Sequence, residues 1–449
     1  MWWLSGRTGT TGQDGNGDGT GNTMADARSR RFLMPLWDGG GNIPPELGVA
    51  RRLNARGHHV HVLADPTVRG AAEAVGCSFT PWRRGPHRAS LDPSEDLIKD
   101  WETKNPLVML GRARDRFIAG PAAEYAADTA EAIDAFGPDV VVPDAFLFGS
   151  IIAAQGASLP VALLVPNIWI MPSRGAPPMG PGFAPAKTVL GRTRDAAMLA
   201  VVNRLFRAGL APVNAARSAH GLAPLSSFYD QALNVDRILV LSSPTFDYAA
   251  PLVPANVRYV GPILDDPDWA QPWTSPWEDS DRRPVVLVGF SSTYQNQGPV
   301  LRRVVEALSA LPVRAVVTVG QMLGGGEVSS RDNVVVVDSA PHTRILGEAS
   351  LAVIHCGHGT TMKTLAAGVP MVCIPMGRDQ NDTAARVVYH GAGARLSPNA
   401  SASKIRSTVQ SALGDDRMRT AAERLAAAIA DESKTDGLVD ELEALAPTR

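Results

Sequence analysis

The chain has 449 residues, a formal net charge of −2 and 45% hydrophobic residues. This length predicts two globular domains, and the near-neutral charge gives no reason to expect nucleic acid or a membrane surface as a partner. Three scattered cysteines are too few for a disulfide framework or a zinc cluster. Because no apolar run approaches a membrane span of about 18 residues and the N-terminus lacks a signal-peptide pattern, we expect a cytoplasmic protein.

The first 30 residues are predicted to form a disordered N-terminal extension. Residues 5–23 are mainly Gly, Thr, Asn and Asp, with almost nothing to bury. Met24 is an alternative start, and the sequence leaves open whether the preceding residues are native.

Strand-like and helix-like segments alternate through residues 31–264, which we assign to an N-terminal domain. After an apolar run at 31–37 and a Gly-rich turn at 39–42, helices are predicted at 43–57, 147–157 and within 190–221. Strands are predicted at 58–65, 77–82, 138–144, 160–167, 236–243 and 257–264. This alternation indicates a parallel sheet covered on both faces. Residues 82–120 and 168–190 are interpreted as loops, and the basic run RRGPHR (83–88) as a solvated one.

A second doubly wound domain is predicted at 285–430, after a linker at 265–284 that is rich in proline and tryptophan. Its strands are expected at 284–292, 313–320, 333–340, 351–357 and 371–375, and its helices at 299–310, 341–349, 360–367 and 380–390. Residues 431–449 are expected to form a C-terminal helix that packs back toward the first domain. Two such domains leave a cleft between the carboxyl ends of their sheets, where ligands bind in open α/β folds.

The most informative segment is residues 351–396. A strand runs into His355, a Gly-rich turn follows, and a helix starts near Thr360. A helix N-terminus offers free backbone N–H groups and a positive dipole end, which favour an anion. Gly357 and Gly359 allow a ligand to approach the backbone closely. This geometry suits a diphosphate.

The whole segment resembles the donor-binding signature of family 1, UDP-glycosyltransferase-like, bacterial natural-product glycosyltransferases. The matching residues are His355, Gly357, Gly359, Thr360, Leu365, Gly368, Pro370, Pro375, Asp379 and Gln380. The resemblance implies the α/β GT-B fold, with two Rossmann-like doubly wound parallel-sheet domains facing a central cleft. Acceptors would bind in the N-terminal domain and the nucleotide sugar in the C-terminal domain.

The resemblance also implies roles for the donor site. His355, Gly359 and Thr360 would hold the diphosphate, with Ser291 and Ser292 near the phosphates, and Asp379 and Gln380 would bind sugar hydroxyls. Three positions depart from the family pattern: Lys363 replaces a glutamate that grips the ribose, Ser339 replaces an aromatic residue, and His342 replaces a glutamine. UDP-glucose is the favoured co-substrate and a TDP-sugar the rival, with no further cofactor and no metal.

The residue expected to act as general base is a further departure from the family pattern. The family's histidine falls at Asn42, which cannot act as a base at neutral pH. The family's paired aspartate falls at Asp144, which would act as the base if partial burial raised its pKa. Asp38 is a second candidate, although an Asp before a Gly-rich turn also suits a turn-forming role.

These features predict an inverting, metal-independent hexosyltransferase that acts on a small aromatic or polyketide-like acceptor and exists as a monomer or homodimer. Two alternatives stay open at this stage. One is a C-glycosyltransferase acting on a phenol, and the other is a catalytically silent auxiliary protein that binds a nucleotide sugar.

Overall fold

The computed structural model describes residues 29–103, 105–173, 175–248, 253–267, 270–320, 328–434 and 437–446. The extension predicted at 1–30 lies outside these residues except for its last two.

Seven short parallel strands form the sheet of the N-terminal domain, in the order β3-β2-β1-β4 and β5-β6-β7. Bridges Val141↔Val161 and Asp144↔Leu164 connect the two parts. The strands are β1 (Arg31–Pro35), β2 (His59–Ala64), β3 (Ser78–Pro81), β4 (Val140–Val141), β5 (Ala162–Val165), β6 (Arg237–Val240) and β7 (Val257–Tyr259). Most of their side chains are buried, as expected for a parallel sheet covered on both faces.

Helices cover both faces of this sheet. They are α1 (Ile43–Ala55), α2 (Arg69–Ala74), α3 (Pro106–Ala113), α4 (Ala122–Phe136), α5 (Phe148–Gly156), α6 (Val189–Arg207), α7 (Leu210–Ala219) and α8 (Asp230–Leu233). The interpretation of residues 82–120 as a loop was wrong, because this stretch contains α3 and a π-helical turn at Arg114–Ile118. The α3 helix buries none of its residues completely.

The C-terminal domain has a six-stranded parallel sheet in the order β10-β9-β8-β11-β12-β13. Its strands are β8 (Val285–Gly289), β9 (Arg314–Thr318), β10 (Val334–Val337), β11 (Ala349–Ile354), β12 (Met371–Cys373) and β13 (Gly393–Arg395). Its helices are α9 (Gly298–Ser309), α10 (His342–Leu346), α11 (His358–Ala366), α12 (Gln380–Tyr389), α13 (Ala402–Leu413) and α14 (Asp416–Glu432).

Strand order reverses once in each sheet, between β1 and β4 and between β8 and β11. Loops that leave two such strands in opposite directions open a crevice at their carboxyl ends. Asn42 and Asp144 follow β1 and β4, whereas Ser291 and His355 follow β8 and β11. The topology therefore brings the sequence-predicted site residues to the two crevices that face the cleft.

The last helix of the chain, α15 (Gly437–Glu443), packs on the N-terminal domain. Leu438, Val439 and Leu442 belong to the same apolar cluster as α1 and β2. His58 Nε2 lies 2.8 Å from Glu443 Oε1, and Arg56 pairs with Asp440 at 2.9 Å.

Within the described residues, no single helix has the length and apolarity to cross a membrane, while the bent pair α6 and α7 passes that test jointly.

Candidate functional site

The turn after β1 is fixed by Asn42, which stands at the N-terminus of α1. Its Oδ1 accepts a hydrogen bond from Gly39 N at 3.0 Å. Its Nδ2 donates to Trp37 O at 2.9 Å and to Glu46 Oε2 at 3.1 Å. The amide of Asn42 thus shapes the turn and orients Glu46, and it has no basic nitrogen to accept a proton.

Asp144 lies beside this turn and is only 1% exposed, while Glu46 is 0% exposed. Burial raises the pKa of Asp144 to about 6, although hydrogen bonds from Glu46 and from Phe146 N act in the opposite direction. Burial, followed by repulsion from Asp144, raises the pKa of Glu46 well above its usual range. These two shifts favour a protonated Glu46 beside an ionised Asp144 near neutral pH.

Asp38 uses both carboxylate oxygens within its own neighbourhood. Oδ1 accepts from Gly40 N at 3.0 Å, and Oδ2 accepts from Thr67 Oγ1 at 2.7 Å. Its own N–H donates to Asp65 Oδ2 at 2.8 Å. These contacts give Asp38 the turn-forming role.

His355 stands at the end of β11 and lines the central cavity. Its Nδ1 lies 3.3 Å from the Gly289 carbonyl oxygen, so Nδ1 carries the hydrogen and Nε2 is left as the free nitrogen. Burial lowers the pKa of His355 to about 4, so the ring is neutral. A diphosphate beside Nε2 would raise that pKa and draw a proton onto the ring.

The N-terminus of α11 follows directly, with Gly357 immediately before the helix. A Cβ at Gly357 would lie 2.5 Å from His355 Nε2, whereas a Cβ at Gly359 would meet nothing within 4 Å. Cys356, which precedes Gly357, adopts a positive φ of 68°, a strained conformation for a non-glycine residue. The turn therefore brings the His355 ring against bare backbone at the start of the helix.

Lys363 points toward the interdomain segment. Its Nζ lies 2.8 Å from Asp266 Oδ1, and Thr343 N donates to Asp266 Oδ2 at 3.3 Å. Burial alone would raise the pKa of Asp266, but Lys363 and Thr343 outweigh it and hold the pKa below its usual range. His342 lies in the same group and bonds Thr318 Oγ1 at 2.9 Å, and burial lowers its pKa to about 4. Lys363 is thus paired with an ionised carboxylate, that of Asp266.

The two residues assigned to sugar hydroxyls differ in their surroundings. Gln380 Oε1 accepts from Met376 N at 2.8 Å and Gly377 N at 3.2 Å, and its Nε2 donates to Gln295 Oε1 at 2.9 Å. Gln380 therefore holds the turn before α12. Asp379 lines the cavity, and burial raises its pKa to about 6.

Arg378 crosses between the domains beside this turn. Its Nε donates to Asp100 Oδ2 at 2.9 Å, and its Nη1 donates to Gly39 O at 3.3 Å and to Thr293 Oγ1 at 3.1 Å. These bonds fix the turn before α12 relative to the turn that precedes Asn42.

Ser291 and Ser292 begin the loop after β8. Ser291 Oγ lies 3.0 Å from Thr293 Oγ1. A Cβ at Gly40, where φ is +84°, would lie 2.9 Å from Ser292 Oγ. Glycine at position 40 thus permits the two loops to meet across the cleft.

One cavity of about 830 Å³ lies between the domains and joins all these groups. Every residue assigned to the site from the sequence lines it: Asp38, Asn42, Asp144, Ser291, Ser292, His342, His355, Gly357, Gly359, Thr360, Lys363, Asp379 and Gln380. The lining of its N-terminal part includes eight aromatic side chains among the described residues: Trp37, Phe117, Phe146, Phe148, Trp169, Phe206, Phe228 and Tyr229. Such walls suit a flat apolar ligand with few polar groups.

Sequence reasoning missed Glu46, Asp266, Arg378 and Arg88. The only signal for Glu46 was an acidic residue on the otherwise apolar face of α1. The other three depend on contacts between distant segments.

Comparisons with known proteins agree with this architecture. Residues 302–445 match the family described as erythromycin biosynthesis protein CIII-like, C-terminal domain. The 4'-demethylrebeccamycin synthase of Lentzea aerocolonigenes is 29% identical over 423 residues, which cover 92% of this chain and 99% of that protein. The demethyllactenocin mycarosyltransferase of Streptomyces fradiae is 28% identical over 412 residues, with 88% and 81% covered.

Solved structures show the same fold. The glycosyltransferase of kitacinnamycin superposes with a TM-score of 0.73 at 23% identity, covering 94% of this chain and 100% of that one. CalG4, the calicheamicin glycosyltransferase, gives a TM-score of 0.72 at 20% identity, with 93% and 98% covered. The GT-B fold and the resemblance predicted from residues 351–396 are confirmed.

Proposed function

We propose that this chain, which resembles GT-B glycosyltransferases of bacterial natural-product biosynthesis, transfers a hexose with inversion from a nucleoside diphosphate sugar to a small aromatic or polyketide-like acceptor. The observation that carries the proposal is the meeting of two topological switch points at one cavity. One supplies a buried carboxylate, Asp144, and the other supplies a helix N-terminus beside His355.

The donor would lie along the C-terminal wall. The free N–H groups at the start of α11 suit the diphosphate, with Ser291, Ser292 and Thr360 beside it. His342 and the Lys363–Asp266 pair line the neighbouring part of the cavity, where we place the nucleoside. Asp379 is the carboxylate available to sugar hydroxyls, and Gln380 holds the turn that precedes it. UDP-glucose remains the favoured donor, with a TDP-sugar as the rival.

The acceptor would lie against the aromatic N-terminal wall, with its reacting hydroxyl at Asp144. As the acceptor oxygen bonds to the anomeric carbon, its proton passes to an Asp144 carboxylate oxygen. The bond from the anomeric carbon to the diphosphate breaks, and its electron pair leaves with the diphosphate. Attack opposite the leaving group inverts the anomeric configuration.

Glu46 supports this step without touching the acceptor in our proposal. Its protonated carboxyl donates to Asp144 and keeps that carboxylate ionised near neutral pH. A base with a pKa near the working pH is an efficient proton acceptor. The Asn42–Glu46–Asp144 arrangement thereby takes the place of the histidine that the family pattern has at position 42.

The test is a mass-spectrometric assay with UDP-glucose and TDP-glucose against a panel of phenolic and polyketide acceptors. Parent protein, Asp144→Asn and Asp38→Asn are compared, with nucleotide binding and thermal melting as controls for folding. We expect a hexose adduct that disappears in Asp144→Asn and persists in Asp38→Asn. An adduct that persists in Asp144→Asn would remove Asp144 as the base, and nucleotide binding without any adduct would favour a silent auxiliary protein.

A further inference from the structure

The basic run at 83–88 is only partly a solvated loop, contrary to the sequence interpretation. The side chain of Arg83 is 71% exposed, whereas Arg88 is 3% exposed and lines the central cavity. Its guanidinium atoms Nε and Nη1 are buried and have no hydrogen-bond partner in the described part of the chain. A buried, unpaired guanidinium is unfavourable, because its desolvation is not compensated.

Hydrogen bonds fix the backbone around Arg88. The position of its side chain at the cavity is therefore set by an ordered loop. Asp128 Oδ2 accepts hydrogen bonds from Arg83 N, Arg84 N and Gly85 N at 2.9, 2.8 and 3.0 Å. Arg88 N donates to Asp65 Oδ1 at 2.6 Å. The loop therefore fixes where the guanidinium lies without using its charge.

The carboxylates nearest in this network are already engaged. Asp65 accepts from Arg88 N through Oδ1 and from Asp38 N through Oδ2. Asp38 in turn accepts from Thr67 and Gly40. The same Asp65 carboxylate thus joins Arg88 to the turn that carries Asn42, which places the unpaired cation on the acceptor side of the cavity.

We infer that Arg88 binds an anionic oxygen of the acceptor, with a carboxylate as the group that best fits a planar guanidinium. This inference rests on the proposed function and names a class of acceptor for it: an aromatic compound that carries a carboxylate besides its reacting hydroxyl. The apolar side chains of Val68, Leu91 and Ile98 line the same cavity as Arg88.

The test compares a hydroxynaphthoic acid with its methyl ester, by calorimetric binding and by sugar transfer. The variants are Arg88→Met, which keeps length without charge, Arg88→Lys, which keeps charge without the fork, and Arg83→Met on the exposed end of the same loop. We expect the parent and Arg83→Met to bind the acid more tightly than the ester by about 10- to 100-fold. Arg88→Met should lose this preference because its affinity for the acid falls while its affinity for the ester stays the same. Arg88→Lys should keep part of the preference.

Thermal melting separates ligand binding from a structural role. If Arg88 serves the ligand, Arg88→Met should melt no lower than the parent without ligand, because it removes an unpaired buried charge. A clear drop in melting temperature, or an acid preference that is absent in the parent or retained in Arg88→Met, would overturn the inference. Selective acid binding without sugar transfer would instead leave the Arg88 site standing and count against the proposed function.

Discussion

Lys363 Nζ lies 2.8 Å from Asp266 Oδ1, so a lysine of α11 holds a carboxylate that belongs to the segment between the domains. By the resemblance, position 363 should carry a glutamate that grips the ribose. The carboxylate at this place is therefore contributed by Asp266, with its negative charge held by Lys363 and Thr343.

This pair predicts a charge-dependent donor site. Asp266→Asn and Lys363→Met should each weaken nucleotide binding by about tenfold, the loss of one charge-assisted hydrogen bond. The exchanged pair Asp266→Lys with Lys363→Glu should recover part of the affinity, because it restores both the ion pair and a carboxylate. Calorimetry with UDP and TDP would measure all three, and unchanged affinity in both single variants would contradict the assignment.

The Glu46–Asp144 pair predicts the pH dependence of catalysis. Asp144 must be ionised to accept a proton, and its pKa is raised to about 6, so kcat/KM should rise with pH through about 6. Glu46→Leu removes the donor that lowers the Asp144 pKa and should move this limb to higher pH. Glu46→Gln keeps an N–H donor and should move it less. Identical pH profiles in all three proteins would exclude a role for Glu46.

The Arg378–Asp100 ion pair predicts how the halves of the site are held together. Burial alone would raise the pKa of Asp100, but Arg378 and Gln295 outweigh it and hold the pKa below its usual range. Its stabilising effect is therefore present above the unfolded pKa of about 3.9 and is lost as the pH falls through the lower folded value. Asp100→Asn should lower the free energy of unfolding by about 1–3 kcal/mol at neutral pH.

The matched control is Asp431→Asn, since Asp431 pairs with Lys434 at 2.7 Å with both side chains more than 70% exposed. Exposed pairs contribute about 0–1 kcal/mol. Equal losses for the two variants in urea unfolding at neutral pH would refute the importance of the buried pair.

The sequence alone predicted those strands whose apolar pattern lies within a short stretch of the chain. Runs such as PVVLVG and LAVIHCG give buried parallel strands because both faces of the sheet are covered, and β8 and β11 follow them closely. The position of Asp144 just beyond β4 followed from the same kind of pattern.

What the sequence could not supply are partners brought together by the fold. Glu46 lies on the apolar face of α1, but the sequence does not show that this face packs against the segment that carries Asp144. Arg88 reads as one of several solvated cations until Asp128 and Asp65 anchor its loop under the cavity wall. Burial of a charge depends on contacts distant in sequence, and local periodicity does not report them.

The last prediction separates the two glycines at the start of α11. Alanine at Gly357 would place its Cβ 2.5 Å from His355 Nε2, so the ring must move away from the helix N-terminus. Alanine at Gly359 meets no protein atom within 4 Å and should leave the unliganded protein as stable as the parent, or slightly more so. Both variants should nevertheless bind the nucleoside diphosphate more weakly.

The two losses of affinity have different reasons. Gly357→Ala displaces His355, whereas Gly359→Ala obstructs only a ligand that touches the backbone. Nucleotide affinity and melting temperature measured together distinguish the two effects. A Gly359→Ala protein with parental affinity would place the diphosphate away from this helix.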